Sequence, residues 1–288
     1  MSQDEEDAIR VTLIGAAEGT NGHLRLLANF SSEGESPDEI ESVVIDYDPE
    51  TDEGEVTHAH EGWLTAMVPT DSGEWLCVSA DGELVRFRSG RFAVSDLGLE
   101  SALNDVTLVP GAGYVAVGDG GALLEAKRIG TKPRRLTFGP DLYAVRAVAS
   151  NAKVAVGDRG SVWLGDGAAW TKLDVPTEAC LFAVAMIGER HFYVGGEGVL
   201  FRFTSDRPEP VAIPPEMTLY ALAAWEGRLL AAAGEHGLFS LGADGTLRTE
   251  SDAPMYSLQP VGERMAAMGD HVLLLGRSGS WTRHEFAF

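Results

Sequence analysis

Six acidic side chains recur at intervals near forty residues: Asp81, Asp119, Asp158, Glu197, Glu235 and Asp270. Each closes a short apolar run and has glycine nearby, as in VAVGDGG, VAVGDRG and FYVGGEG. Carboxylates gathered by a fold can do three things. A pair roughly 5–10 Å apart can cleave a glycosidic bond. Several converging on one point can hold a metal ion. Spread over a surface, they attract a cationic partner. Acids spaced one per repeat, with no shared ligand geometry, suit the third and make a poor cage for one metal ion. Turn chemistry competes as an explanation, because Asp and Gly are what tight hairpins require. It does not account for Glu, a poor turn residue, at positions 197 and 235.

The elements that position these acids are legible as a repeat. YVAVGDGGALLEA from Tyr114, KVAVGDRGSVWLG from Lys153, HFYVGGEGVLFRF from His191 and LLAAAGEHGLFSL from Leu229 are copies of one unit. Their glycines, Gly118, Gly157, Gly195 and Gly234, are 39, 38 and 39 residues apart. Degenerate copies begin at Trp75 and Met265, and HLRLLANF from His23 starts a longer one with insertions, which makes seven. Within a copy, four apolar stretches alternate with Gly, Pro, Asp and Asn. No helical stripe competes with them. Periods near forty with four strands each mark a β-propeller. The expectation is an all-β fold, a seven-bladed β-propeller with four antiparallel strands per blade. It forms a single domain over 9–288, preceded by an acidic tail at 1–8. Blade four reads as strand a at 142–149, b at 153–158, c at 161–165 and d at 170–175. The first strand a starts at Ile9 and the last strand d at Ser280, so no blade is shared between the ends.

The run VAVGDRGSVWLGDGAAWTKL at 154–173 resembles the BNR-like propellers, in particular the group that includes the photosystem II assembly factor type. At repeat level the resemblance covers most of 63–288, and it implies a fold and no more. The sialidase Asp-box of the wider group survives only as LGDGAAW at 164–170, with Gly165 in place of Ser or Thr. WD40 is a weaker match because no copy ends in Trp-Asp. A sialidase would also need several arginines in the channel.

Strand a lines the channel of a propeller, and alternation along a strand sends neighbours to opposite faces. On that rule Asn104, Tyr143, Phe182, Tyr220 and Tyr256 should pack between sheets, with Val106, Val145, Val184, Leu222 and Leu258 two positions on. The small set Ala144, Ala183, Ala221 and Ser257, then Ala185, Ala223 and Gln259, should face the channel. Asp105 and Arg146 stand out there as a polar pair. The pair reads either as a salt bridge fixing blade register or as the mouth of a ligand channel. One face, the top, carries the b-to-c and d-to-a connections, hence the six acids together with Glu178, Glu216, Glu250 and Asp252. The opposite face receives Arg88, Arg91, Arg190, Arg207, Arg228, Arg264, Arg277 and the basic group at 127–135. In blade one, acidic connections are expected at 30–42 and 46–55, and loops like these are where function often sits.

Other signals fail. DPETDEGE lacks the spacing of an EF-hand. His58, His60 and Glu61 lie on an outer strand with no Cys nearby, so no metal site and no cofactor is assigned. GDGG at 118–121 joins two strands and is not a phosphate loop. No catalytic residues are assigned, and no G-x-S-x-G occurs.

Composition narrows the partner. Among 288 residues, 44 acids face 22 Lys and Arg, and 44% are hydrophobic, which is enough for a core. A net charge of −22 repels phosphate backbones and anionic lipid, which argues against nucleic acid and membrane. The acidity is local: residues 1–62 hold 17 acids against 2 bases, and the rest hold 27 against 20. The longest apolar runs, such as HVLLLG at 271–276, are far shorter than the roughly 20 residues that cross a bilayer. MSQDEEDAIR has neither the basic nor the apolar segment of a secretory signal. Cys77 and Cys180, both in apolar segments, fit buried thiols in a reducing compartment, and the expected location is the cytoplasm. Arginine outnumbers lysine 18 to 4, as in GC-rich genomes, and small bacterial propellers are the nearest functional analogues. The resulting expectation is a non-enzymatic protein-binding propeller, an assembly factor, scaffold or immunity-type inhibitor, whose acidic top face engages a basic protein. The alternative is a carbohydrate-active enzyme or lectin using the channel.

Overall fold

Each repeat folds as one four-stranded antiparallel sheet in simple meander order. The seven sheets are β1–β4 (9–61), β5–β8 (64–95), β9–β12 (103–137), β13–β16 (142–173), β17–β20 (181–210), β21–β24 (221–251) and β25–β28 (257–285). The structure, a computed structural model, describes residues 9–32, 40–204, 206–277 and 279–286. The acidic tail at 1–8 and most of the expected loop at 30–42 lie outside the described residues. The architecture is the seven-bladed propeller that the repeat implies. Blade four matches closely, with strands at Leu142–Ala149, Ala152–Gly157, Ser161–Asp166 and Ala169–Leu173.

Both faces of every blade are covered. Seven apolar clusters lie among the described residues, one at each blade-to-blade interface. Val145 of β13 (Leu142–Ala149) enters the cluster shared with blade three, and its neighbour Ala144 enters the one shared with blade five. A sheet buried on two sides reads as a continuous apolar run, which is why strand b is YVAVG in one copy and AKVAVG in the next.

The repeat glycine has a specific task. A Cβ on Gly118, Gly157, Gly196 or Gly269 would lie 1.8–2.0 Å from the carbonyl oxygen of Ala102, Asp141, Cys180 or Pro254, the residue entering strand a. Only a hydrogen fits in that gap. In three of these blades the next N–H then donates to the same carbonyl: Asp119 to Ala102 at 3.0 Å, Asp158 to Asp141 at 2.9 Å and Glu197 to Cys180 at 3.1 Å. Those acids of the repeat are therefore fixed by their own backbone at the start of the innermost strand. In the fifth blade the glycine with this role is Gly196, one residue beyond the glycine that aligns by sequence.

The ring closes without a shared sheet. Blade one, β1 (Ile9–Glu18) to β4 (Glu53–Glu61), meets blade seven through one apolar cluster containing Leu13, Leu26, Ile45, Tyr47, Met268 and Leu273. A single bridge, Thr12 to Asp270, is reinforced by Leu13 N–H donating to Gly269 O and His271 N–H to Val11 O. In blade one the expected acidic connection at 46–55 is mostly strand. β3 (Glu41–Asp48) and β4 pair up to Asp48 opposite Glu53, leaving a four-residue turn. Alternation in VIDYD continues past the point where acidic composition suggests a loop.

Replacing Gly157 by Ala forces a methyl into a backbone oxygen and should cost about 2–3 kcal/mol or more. Gly188, whose Cβ would meet only His191 at 4.0 Å, serves as the control, where Ala should change stability by less than about 0.5 kcal/mol. Urea denaturation of the two variants measures the difference.

Candidate functional site

A cavity of about 370 Å³ opens along the axis of the ring. Its lining contradicts the alternation expected for strand a: Asn104, Tyr143, Phe182, Tyr220 and Tyr256 border the cavity instead of packing between sheets. Ala183, Ala185 and Ala223, expected in the channel, are buried in inter-blade clusters. In blades two to five the cause is a recurrent β-bulge, whereas Tyr220 and Tyr256 immediately precede the paired strands β21 (Ala221–Trp225) and β25 (Ser257–Val261). Pairing skips Thr65, Asn104, Tyr143 and Phe182, the second residue of strand a in blades two to five. An extra unpaired residue reverses the phase of the rest of the strand and turns its own side chain toward the axis. Ala221, Ser257, Gln259, Asp105 and Arg146 do line the cavity as expected.

These positions divide the mouth into two halves. In blades two and three they are polar and are consumed by stitching. Thr65 Oγ1 donates to Leu103 O at 2.5 Å and Asn104 Nδ2 to Leu142 O at 3.0 Å, each joining one blade to the next. Asn29 of β2 (Leu24–Ser32) does the same from blade one, its Nδ2 donating to Leu64 O at 3.0 Å. In blades four to seven the belt is aromatic. Tyr143 and Phe182 have ring centroids 5.0 Å apart, Phe182 and Tyr220 stack at 6.0 Å, and Tyr220 and Tyr256 meet edge to face at 5.3 Å. Gly234 lies beneath the last pair, where a Cβ would come within 2.7 Å of the Tyr220 ring. Tyr220 remains 43% exposed.

The acids surround this arc. Tyr143 is pushed up to about 12, first by burial and then by the charges of Asp141 and Asp158. Tyr256 is likewise pushed up to about 12 by burial, then by its hydrogen bond to Glu235 at 2.7 Å. Of the six predicted acids, Asp158, Glu235 and Asp270 are also tied to the neighbouring blade, and Asp119 and Glu197 to the start of strand a in their own. Asp119 accepts from Asn104 at 2.8 Å, and Asp158 from the Cys180 thiol at 3.1 Å. Glu197 accepts from Cys180 N–H at 3.2 Å, and Asp270 from Thr12 at 2.7 Å and Arg10 at 2.5 Å. Asp81 adjoins His60, whose pKa is lowered mainly by burial. Among the described residues no Lys or Arg pairs with Asp81, Asp119, Glu197 or Glu235, while Asp158 has only Arg159 at 3.7 Å. The opposite face is different. Several of the arginines expected there are matched by acids: Arg88 with Glu74, Arg190 with Asp206, Arg228 with Glu250, and Arg277 with Glu263. Glu250 thus lies on β24 (Leu247–Ser251) with Arg228 and Trp281 Nε1, and does not belong to the top-face set.

Asp105 and Arg146 do meet. Arg146 Nη1 lies 2.5 Å from Asp105 Oδ2, the same carboxylate oxygen accepts Val145 N–H at 2.8 Å, and Oδ1 accepts Val106 N–H at 2.9 Å. Cys180 precedes β17 (Leu181–Met186) and is half-buried, contrary to the expectation of two strand thiols. Burial, then its hydrogen bond to Asp158, pushes it up to about 12. Nothing in the residue pattern signals a buried ion pair between blades three and four. Lys153 Nζ, at 5% exposure, donates to Glu125 and Gly167 O at 2.6 Å each, and Trp170 Nε1 donates to Glu125 at 3.1 Å. Trp170 is the tryptophan of the Asp-box remnant, and its role here is to close this pair.

No protein-family model matches the chain, and no curated protein matches it in sequence. Solved structures match it in shape. The WD40 β-propeller domain of Doa1 superposes with a TM-score of 0.70 at 10% identity, over 90% of this chain and 94% of that one. YCF48 from Cyanidioschyzon merolae gives 0.68 at 14% identity, over 93% and 95%. YCF48 bound to D1 peptide gives 0.60 at 14% identity, over 77% and 80%. At these identities the likeness is one of fold. It supports the propeller resemblance, and no family model supports BNR repeats.

Two measurements test this geometry. Asp105→Ala strands two buried N–H groups and should cost about 2–4 kcal/mol. Arg146→Ala, at a half-exposed site, should cost about 1 kcal/mol or less, and the asymmetry is readable in chemical denaturation. Unfolded tyrosine ionises near 10.0, whereas the folded protein holds the Tyr143 and Tyr256 protons to about 12. Their stabilising contribution is therefore complete below pH 10 and is lost as pH rises toward 12. Ultraviolet titration should show late-ionising tyrosines, with Glu235→Gln lowering the midpoint of Tyr256 and leaving that of Tyr143 in place.

Proposed function

We propose that this propeller is a non-enzymatic protein-binding module whose acid-bearing top face engages a basic protein surface. The observation that carries this reading is the set Asp81, Asp119, Glu197 and Glu235, with which no Lys or Arg pairs among the described residues, whereas Arg88, Arg190, Arg228 and Arg277 of the opposite face are neutralised by neighbouring acids. Unpaired carboxylates on one rim create a field that raises the encounter rate with cations and is screened by salt. The structural neighbours fit this class: one is a WD40 domain, and another is a propeller with a peptide bound. The state of Asp105 also supports a non-enzymatic role. It is committed to Arg146 and two backbone amides, which leaves it unsuited to exchange protons with a substrate. An assembly factor, a scaffold or an inhibitor of a basic protein would each use such a face.

A second reading draws on the aromatic arc. Rings bordering a cavity offer flat apolar faces on which a sugar can lie, with Arg146 and Gln259 as polar contacts. It predicts glycan-array binding that is lost in Arg146→Ala. The protein-binding reading predicts otherwise. A purified basic protein such as lysozyme or a histone should bind the wild type in low salt. It should release by about 0.5 M NaCl, where the Debye length falls to only a few Å. Reversing Asp119, Asp158, Glu197 and Glu235 to Lys should abolish the binding, with folding checked by circular dichroism. Unchanged binding by the reversed protein would sink the acidic-face idea.

A further inference from the structure

The aromatic belt is confined to the half of the mouth that is not used for stitching. Thr65 and Asn104 spend their polar groups on the next blade's carbonyl, so their positions are fully explained by assembly. Tyr143, Phe182 and Tyr220 occupy the corresponding sites in the following blades without that task. Large aromatic side chains on a soluble surface are costly to leave in water, and Tyr220 is 43% exposed. The rings also stand within the field of Asp141, Asp158 and Glu235. Ring faces attract cations, and carboxylates beside them strengthen that attraction.

We propose that the arc formed by Tyr143, Phe182, Tyr220 and Tyr256 receives an arginine side chain from the partner protein. This rests on the acidic-face reading and narrows it to one residue type and one place. Arginine is favoured over lysine by shape and hydration. Its guanidinium is planar, stacks on ring faces, is weakly hydrated and presents several donors to carboxylates at once. The rim already holds one such group. Arg10 directs Nε and Nη2 onto Asp270 Oδ2 at 3.0 and 2.5 Å, with Glu235 and Tyr256 adding to the field around it. Arg146, which lines the cavity, and Arg10 on the rim do not oppose a newcomer, because Arg10 is neutralised by Asp270 and Arg146 by Asp105. The cavity beneath the arc, about 370 Å³, has room for the side chain and its ordered water.

The test uses the full chain and three fluorescently labelled peptides of the same Gly-Ser background, carrying two arginines, two lysines or two citrullines. Fluorescence anisotropy should show the arginine peptide binding at least about fivefold more tightly than the lysine peptide, with the citrulline peptide weakest. Tyr220→Leu and Phe182→Leu should each erase the arginine preference while leaving lysine binding unchanged, and Tyr220→Phe should retain it. Leu keeps apolar bulk, and circular dichroism verifies the fold of each variant. If arginine and lysine bind equally and Tyr220→Leu has no effect, the arc is not the site, although the acidic-face reading survives. If no basic peptide binds the wild type, both readings fall. Displacement of the arginine peptide by a glycan that itself needs Tyr220 would overturn the arginine assignment in favour of a sugar.

Discussion

A backbone contact that admits no side chain organises this molecule. Where strand b ends, a glycine meets the carbonyl of the residue that enters strand a, and in blades three to five the following N–H closes a hydrogen bond to that same carbonyl. In those blades the contact fixes how far the innermost strand reaches toward the axis. It places an acid at the rim and aims the bulged second residue of strand a into the mouth. In blades four and five, a rim acid and an aromatic side chain at the mouth, Asp158 with Tyr143 and Glu197 with Phe182, are thus two outcomes of one piece of local geometry.

The repeat serves assembly and recognition by dividing the ring between them. Blades one to three join their neighbours through Asn29, Thr65 and Asn104, which satisfy carbonyls that would otherwise be left unpaired near the axis. Blades four to seven lack this side-chain stitch at the mouth and carry rings there instead. Side-chain hydrogen bonds lock one half of the mouth. The other half presents adaptable, polarisable surface under a negative rim.

Much of this was legible in the residues. Spacings of 39, 38 and 39 between glycines require a repeat, and four apolar runs per repeat require a propeller. The ring of acids and the Asp105–Arg146 pair emerged from placing side chains on that frame. The direction of the aromatic residues did not, because a bulge inserts one residue without leaving a mark in the pattern. LYAVRA reads the same whether or not Tyr143 is paired. Two-sided burial compounds the problem, since alternation then separates one inter-blade core from the next and not core from channel. The turn at 49–52 was hidden by composition, with acidic residues continuing along a solvent-facing strand. Lys153 and Glu125 lie in different blades, and only the fold brings them together.

Each sheet is also built from one unbroken stretch of chain, including the first and the last. A propeller that shares a strand across its seam is a fastened hoop, whereas this one is a line of seven separate ladders bent until its ends touch. Lengthening or shortening such a line by a whole unit leaves every ladder intact, and only the contacts between neighbours must be remade. The ring is therefore modular in its covalent structure and continuous only through the packing and hydrogen bonds between blades.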